Sequence, residues 1–225
     1  MISIIQKSVK SIFSKELIHT SLLCLFITAV VLGVFVGGAN IATSTTELVS
    51  YGWIESILDF LFSAGAVFIA WLLFPVITPV IASFFVDSVT EKIEKKDYPD
   101  VLQRTSHSIS TTVIEAVKFV SIMIVLNIVC LPLYLIPVIN IFVYYLLNSY
   151  LISREFFDMA AAFYVSPEES KKLRKSNRGS VMGLGLVIVI ISNVPVLNLF
   201  GPIIAITLMV HLFFGLYKKS KLDVS

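Results

Sequence analysis

The chain has 225 residues, of which 57% are hydrophobic and only 14% charged, with a net charge of +2 and a mean hydropathy of +0.92. Soluble domains carry about 25% charged residues, and one core of this size cannot hide so much apolar surface from water. A water-soluble globular protein is therefore excluded, and the near-neutral balance gives no reason to expect a nucleic-acid partner.

Residues 1–16 form an amphipathic segment: Ile5, Val9, Ile12 and Phe13 share one helical face, away from Lys7, Lys10 and Lys15. The pattern predicts a helix lying in the membrane interface, with a frayed polar N-terminus as the alternative. The lysines followed by apolar residues resemble a signal peptide, but the uncharged run 17–39 exceeds the about 7–15 residues of such a segment and predicts a span. Residues 40–56 are polar, with Glu47 and Glu55. A second span is predicted over 57–86, interrupted only by Asp59. At about 1.5 Å per residue this run is ~45 Å long, so it must tilt, kink or protrude from a hydrocarbon layer of ~30 Å. Pro75 and Pro79 offer the kink points. Asp87 to Glu94 is expected to continue that helix out of the bilayer, and Tyr98-Pro99-Asp100 to turn and start another.

Two long uncharged regions follow, between Lys118 and Arg154 and between Arg178 and Lys218. Each has a central break: Pro132 and Pro137 in the first, Pro195, Gly201 and Pro202 in the second. The breaks carry an internal repeat, Pro137-Val138-Ile139-Asn140-Ile141-Phe142 against Pro195-Val196-Leu197-Asn198-Leu199-Phe200. Around the second copy the arms Val181–Val194 and Ile203–Leu216 have 14 residues each, where a crossing helix needs about 20. Two re-entrant helical hairpins, 119–153 and 181–217, joined by a basic connector 154–180, are the economical reading; two tightly turned spans per region are the alternative. A bend inside the membrane must sit in protein or water, because an unpaired backbone group in lipid costs several kcal/mol. All 17 Lys and Arg residues fall in 1–15, 92–118, 154–178 or 218–221. Two crossings plus two hairpins put every basic cluster on one side, which the positive-inside rule makes cytoplasmic together with both termini. The expected fold is thus an all-α integral membrane protein with a single membrane domain: an N-terminal amphipathic helix, two long transmembrane helices and two re-entrant hairpins.

Candidate site residues cluster at the exit of the first hairpin. Arg154 and Asp158 are four apart and share a helix face, with Glu155 beside them. Arg154 has three possible partners: an anion, Asp87 at the end of the second span, or Asp158 in a local ion pair. Asn140 and Asn198 are placed to cap the returning helices at the bends formed with Pro137, Pro195 and Pro202; an anion cradle of paired helix N-termini is the alternative. Ser166-Pro167-Glu168-Glu169 is a capping box, and the basic helix it opens is either a topology signal or a collector of anions or anionic lipid. Gly183-Leu184-Gly185 suggests helix packing. Cys24 and Cys130 read as small buried hydrophobes. His19, His107 and His211 are scattered, with no metal-ligand spacing, and no nucleotide loop, nucleophile elbow or nucleophile–base pair is evident. An enzyme, a metal and a cofactor are not expected.

The residues that carry a family resemblance are Phe84-Phe85-Val86-Asp87-Ser88-Val89 followed by Ile93 to Pro99, the exit Tyr150 to Asp158, and Val194 to Phe200 with Pro202. In this order and spacing the chain resembles the CysZ-like family of bacterial inner-membrane proteins, related to the eukaryotic etoposide-induced proteins. The resemblance implies two long transmembrane helices, two hemi-penetrating hairpins, homo-oligomers, and uptake of sulfate. Family members carry a Gly-Leu-Arg-type motif linked to sulfate binding where the N-terminal helix meets the first span. Here Phe13 to His19 contains no arginine, leaving Lys15 and His19 as the local anion contacts. The expected function is a permease or channel for sulfate or another small anion, with membrane lipid around it and Asp87, Arg154, Glu155 and Asp158 as its polar core. A non-transporting scaffold that organises partners or lipids is the alternative.

Overall fold

The computed structural model describes the backbone of residues 2–44, 52–99, 104, 109–198 and 200–222. These residues form ten helices and no strand: α1 (Ile2–Ile12), α2 (Lys15–Ser44), α3 (Gly52–Ser83), α4 (Val86–Asp97), α5 (Ile109–Tyr134), α6 (Ile139–Ala161), α7 (Pro167–Ser176), α8 (Arg178–Ser192), α9 (Pro195–Asn198) and α10 (Gly201–Leu222). By length and composition, Lys15–Ile41, Ile114–Tyr134 and Gly201–Ser220 are each able to cross a membrane. The chain divides into two compact units, one of residues 1–18 and 86–225, the other His19–Phe85.

The second unit holds α2 from His19 onward and α3. On α2, Leu22, Phe26, Val30 and Val34 recur every fourth residue and are 54%, 65%, 46% and 69% exposed. One helix face is therefore a bare apolar stripe, which suits lipid and not water. The helix α3 runs unbroken through Pro75 and Pro79. It ends at Ser83, before a turn at Phe84 and Phe85. The predicted span 57–86, and the expectation that its helix continues through Asp87, are corrected accordingly: Phe84 and Phe85 donate i→i−3 bonds to Ile81 and Ala82 carbonyls, and α4 starts afresh.

The first unit is built around α10. Every residue from Gly201 to Phe214 is buried, as expected of a helix that is hydrophobic all round. The helices α1, α4, α6 and α8 pack on it. Tyr98, Phe157, Tyr164, Phe213 and Phe214 form a continuous aromatic cluster, with Tyr98 stacked on Phe214 at 4.7 Å. By contrast, no residue of the apolar stretch Ile114–Tyr134 of α5 is buried. Pro202 lies in the first turn of α10, where its missing N–H removes no helix bond.

Three predicted boundaries shift. The helix α5 begins at Ile109, not 119, and passes Pro132 to end at Tyr134. The helix α6 continues from the bend through the Tyr150–Asp158 segment to Ala161. Twenty-two residues make up α10, not 14, while α8 has 15. Ending segments at the first charged residue truncates helices whose stops are set by turns and caps. The bend 135–138 holds Val138 at φ 71° and ψ −47°, a positive φ that is an outlier for a β-branched residue. The capping box forms as expected: Ser166 Oγ accepts from the Glu169 N–H, the Glu169 carboxylate accepts from the Ser166 N–H, and Pro167 is in the first turn.

The most buried positions of α1 are polar, with Ile4, Ile5 and Ile12 half-buried beside them. Ser8 and Ser11 are buried, whereas Ile2, Val9 and Phe13 are 75%, 48% and 74% exposed. That is the inverse of a helix packing on a water-soluble core, and it matches an interfacial helix whose apolar side rests in lipid.

Candidate functional site

The C-terminal half of α6 carries the candidate site. Its buried face is formed by Leu147, Leu151, Phe157, Ala160 and Ala161. On the same buried side, the Ser149 and Ser153 hydroxyls donate to their own helix's Tyr145 and Tyr150 carbonyls. With those hydroxyls satisfied, α8 approaches closely at Gly185. A Cβ there would overlap the Ser149 carbonyl oxygen and lie 2.7 Å from Ser153 Cβ. Gly185 is thus the packing glycine anticipated in Gly183-Leu184-Gly185.

The next residue on α6 after this contact, Arg154, is only 9% exposed. Its guanidinium stands over the Phe119 ring of α5 at 5.7 Å. The carboxylate of Asp158 lies 3.9 Å away, beyond hydrogen-bond reach. Arg154 Nε and Nη1 are buried without a hydrogen-bond partner. Asp158 has closer partners on α7: Ser170 Oγ donates to it at 2.6 Å and Arg174 Nε at 3.3 Å. Burial nevertheless raises the Asp158 carboxyl above its ordinary range, outweighing Arg174, Ser170 and Arg154, which all pull it down. Burial alone raises Glu155. Two guanidiniums, Arg154 with unused donors and Arg174, therefore flank the Asp158 carboxylate.

A pH dependence follows from Glu155. Its folded pKa is raised, so its contribution to stability is complete below the unfolded value of about 4.3 and is lost as pH rises through the folded value. Glu155→Gln is expected to raise the melting temperature of the detergent-solubilised protein at pH 7–8, with the gain vanishing near pH 4. A gain independent of pH would refute the assignment.

The other predicted site residues are not gathered around Arg154. Asp87 pairs with Arg104, not Arg154, and the proposed Asp87–Arg154 partnership is corrected: Arg104 bridges Asp87 to Glu94 at 3.1 Å. Tyr164 also donates to Glu94, at 2.6 Å. Lys15 is exposed at the start of α2, and His19 is an exposed residue of the second unit. Asn140 does not cap α6; position Val138 lacks a side-chain cap, and Asn140 Oδ1 is buried without a partner. Asn198 closes α9, with Oδ1 3.4 Å from where a Gly201 Cβ would stand. Pro137 lies in the bend before α6, and Pro195 opens α9. Cys24 and Cys130 are free thiols. His107 lies outside the described residues, as do 45–51 with Glu47, Asp100 of the predicted turn, and Leu199 of the repeat.

Sequence reasoning missed Ser170 and Arg174. The signal available was their spacing: four apart on α7, they share the face turned to Asp158. It also missed His211, fully buried on α10. His211 Nε2 is 3.0 Å from Ser11 Oγ and Nδ1 is 3.1 Å from the Tyr98 hydroxyl, while Ser11 donates to Asp97 at 3.4 Å. Since Ser11 donates to the carboxylate, it accepts from Nε2–H, and Nδ1 accepts from Tyr98. A neutral imidazole satisfies every group, and the hydrogen-bonded chain ties α1 and the end of α4 to α10.

A search of curated proteins by sequence finds no match. The family described as Sulfate transporter CysZ/Etoposide-induced protein 2.4 matches residues 4–202, a stretch that contains most of α1, both bends and the whole Arg154 cluster. The all-helical architecture, the apolar helices able to cross a bilayer and this match agree, and the chain is a membrane protein of the CysZ/etoposide-induced protein 2.4 family.

Proposed function

We propose that this protein is a CysZ-like permease or channel that passes sulfate or another small oxyanion across a bacterial plasma membrane. One observation carries the reading: in the buried guanidinium of Arg154, the nitrogens Nε and Nη1 have no hydrogen-bond partner. Leaving a buried donor unpaired costs about 1–3 kcal/mol, and more for a charged group. An oxyanion would supply acceptors for these donors, which supports the reading. Arg suits a tetrahedral oxyanion because its N–H groups form a rigid fork. The transporter-type family supports the same reading. The test is flux: liposomes containing only this protein should release or accumulate sulfate or a related oxyanion faster than protein-free liposomes. Absence of flux across sulfate, sulfite and thiosulfate would overturn the reading and favour a scaffold.

The proposed topology keeps two re-entrant hairpins, α5–α6 and α8–α10, with both termini and all basic clusters cytoplasmic, in a homo-oligomer that completes the pathway. The repeated proline–asparagine bend and the short α8, ~22 Å at about 1.5 Å per residue, support it. Single cysteines at positions 139 and 197 should resist a membrane-impermeant thiol reagent added from the periplasmic side; ready labelling there would mean that the helices cross.

A further inference from the structure

A cavity of ≈ 570 Å³ opens at the end of the first unit where α1, the Tyr98 turn, the start of α8 and the end of α10 meet. It lies within the size range of small-ligand sites. The Arg154 cluster does not line it. Its polar wall carries Lys7, Lys218, Ser3, Ser180 and Tyr98; its apolar wall carries Ile4, Leu212, Leu216 and the bare backbone of Gly215. Asp97 also lines it, but that carboxylate already accepts from Ser11. Lys7 is positioned, not free-ranging, with Nζ 5.7 Å from the centre of the Tyr98 ring. Burial pushes the Tyr98 phenol up to about 12, so its hydroxyl stays protonated. Both lysines therefore line a site that also offers hydroxyls and hydrocarbon.

The position of the cavity narrows the ligand. It lies under α1, whose outward face is the exposed apolar set Ile2, Val9 and Phe13, the side expected in the lipid interface. A molecule reaching it from that interface arrives with an anionic head and an apolar tail. We propose that this cavity binds a phosphate group, with Lys7 and Lys218 on its oxygens, and that the apolar wall receives the glycerol–acyl portion of a phospholipid. This inference is independent of whether the chain moves anions.

Gly215 provides a clean probe. A Cβ at this position meets nothing within 4 Å, so Gly215→Leu should fill the cavity without disturbing the fold, and leucine is also the better helix former. Purified full-length protein in a maltoside detergent would be titrated with phosphatidylglycerol, with diacylglycerol of the same chains, and with inorganic phosphate, followed by native mass spectrometry and thermal stability. Phosphatidylglycerol should bind and stabilise the wild type. Lys7→Gln/Lys218→Gln should weaken that binding about thirtyfold, each lysine near an anionic headgroup contributing about fivefold, and Gly215→Leu should abolish it. Lys7→Arg/Lys218→Arg should retain it. Stabilisation by inorganic phosphate as well, lost in the same variants, would assign the phosphate to a soluble source and overturn the lipid part. Equal binding by diacylglycerol, or wild-type binding in both the glutamine and leucine variants, would overturn the site altogether.

Discussion

Arg154→Gln is expected to lower oxyanion flux by about ten- to a hundredfold, the loss that one or two hydrogen bonds from a charged group produces at about 1.5–3 kcal/mol. It should not lower the stability of the empty protein. Ordinarily, truncating a buried charged residue is destabilising because the partner is stranded. Here the nearest carboxylate, Asp158, loses the pull of Arg154 but keeps both of its hydrogen-bond partners, Ser170 at 2.6 Å and Arg174 at 3.3 Å. What disappears is a desolvated cation with two unpartnered nitrogens, Nε and Nη1. The expected pattern is thus opposite signs: flux falls while the melting temperature holds or rises. Arg154→Lys, which retains charge but not the fork, should give intermediate flux. Sulfate should raise the melting temperature of the wild type and leave that of Arg154→Gln unchanged. Wild-type flux in Arg154→Gln would remove Arg154 from the pathway, and a strongly destabilised variant would make the guanidinium structural.

Among the glycines whose surroundings are described, Gly185 is where a methyl group is expected to do most damage, as Gly185→Ala. The added Cβ would collide with backbone, the Ser149 carbonyl, and with Ser153 Cβ at 2.7 Å. Neither can move as the end of a flexible side chain can, so α6 and α8 must separate. Overpacking costs about 1–3 kcal/mol, with backbone collisions at the upper end. Close approach at small residues is also what holds helices together in lipid, where burial of apolar surface gives no advantage over acyl chains. Since Ser153 precedes Arg154, flux should fall together with stability, unlike the Arg154→Gln pattern. Gly179→Ala, whose Cβ meets nothing within 4 Å, is the control and should be neutral. The readout is monodisperse protein surviving a heat step in detergent. Equal survival of Gly185→Ala and Gly179→Ala would show that α6 and α8 are not in this close contact.

Much of the architecture was legible in the sequence because the relevant signals are local. Charge-free runs mark where helices can meet lipid, and the spacing of Ile5, Val9, Ile12 and Phe13 marks α1 as amphipathic. The Ser166–Glu169 capping box acts over four residues, so it formed as read. Proline was a weaker guide. The helix α5 passes Pro132 and α3 passes both Pro75 and Pro79, because a helix end needs turn geometry and not merely one missing N–H.

Partner choice was decided by tertiary structure alone. Asp87 and Arg154 have complementary charges, and nothing in the sequence distinguishes Arg154 from Arg104 as the mate of Asp87. The packing of α4 selects Arg104. Ser11, Asp97 and His211 meet across as many as 200 positions, a distance over which no periodicity carries information. The same holds for the inward serines of α1: hydropathy shows that the helix has two faces, but only the surroundings determine which one meets protein. The sequence by itself determined the membrane class, the approximate helix positions and the side-chain chemistry at the edge of the bilayer. The close approach at Gly185, and the unpartnered guanidinium of Arg154, belong to the tertiary structure, because a donor is satisfied or left bare by what packs around it.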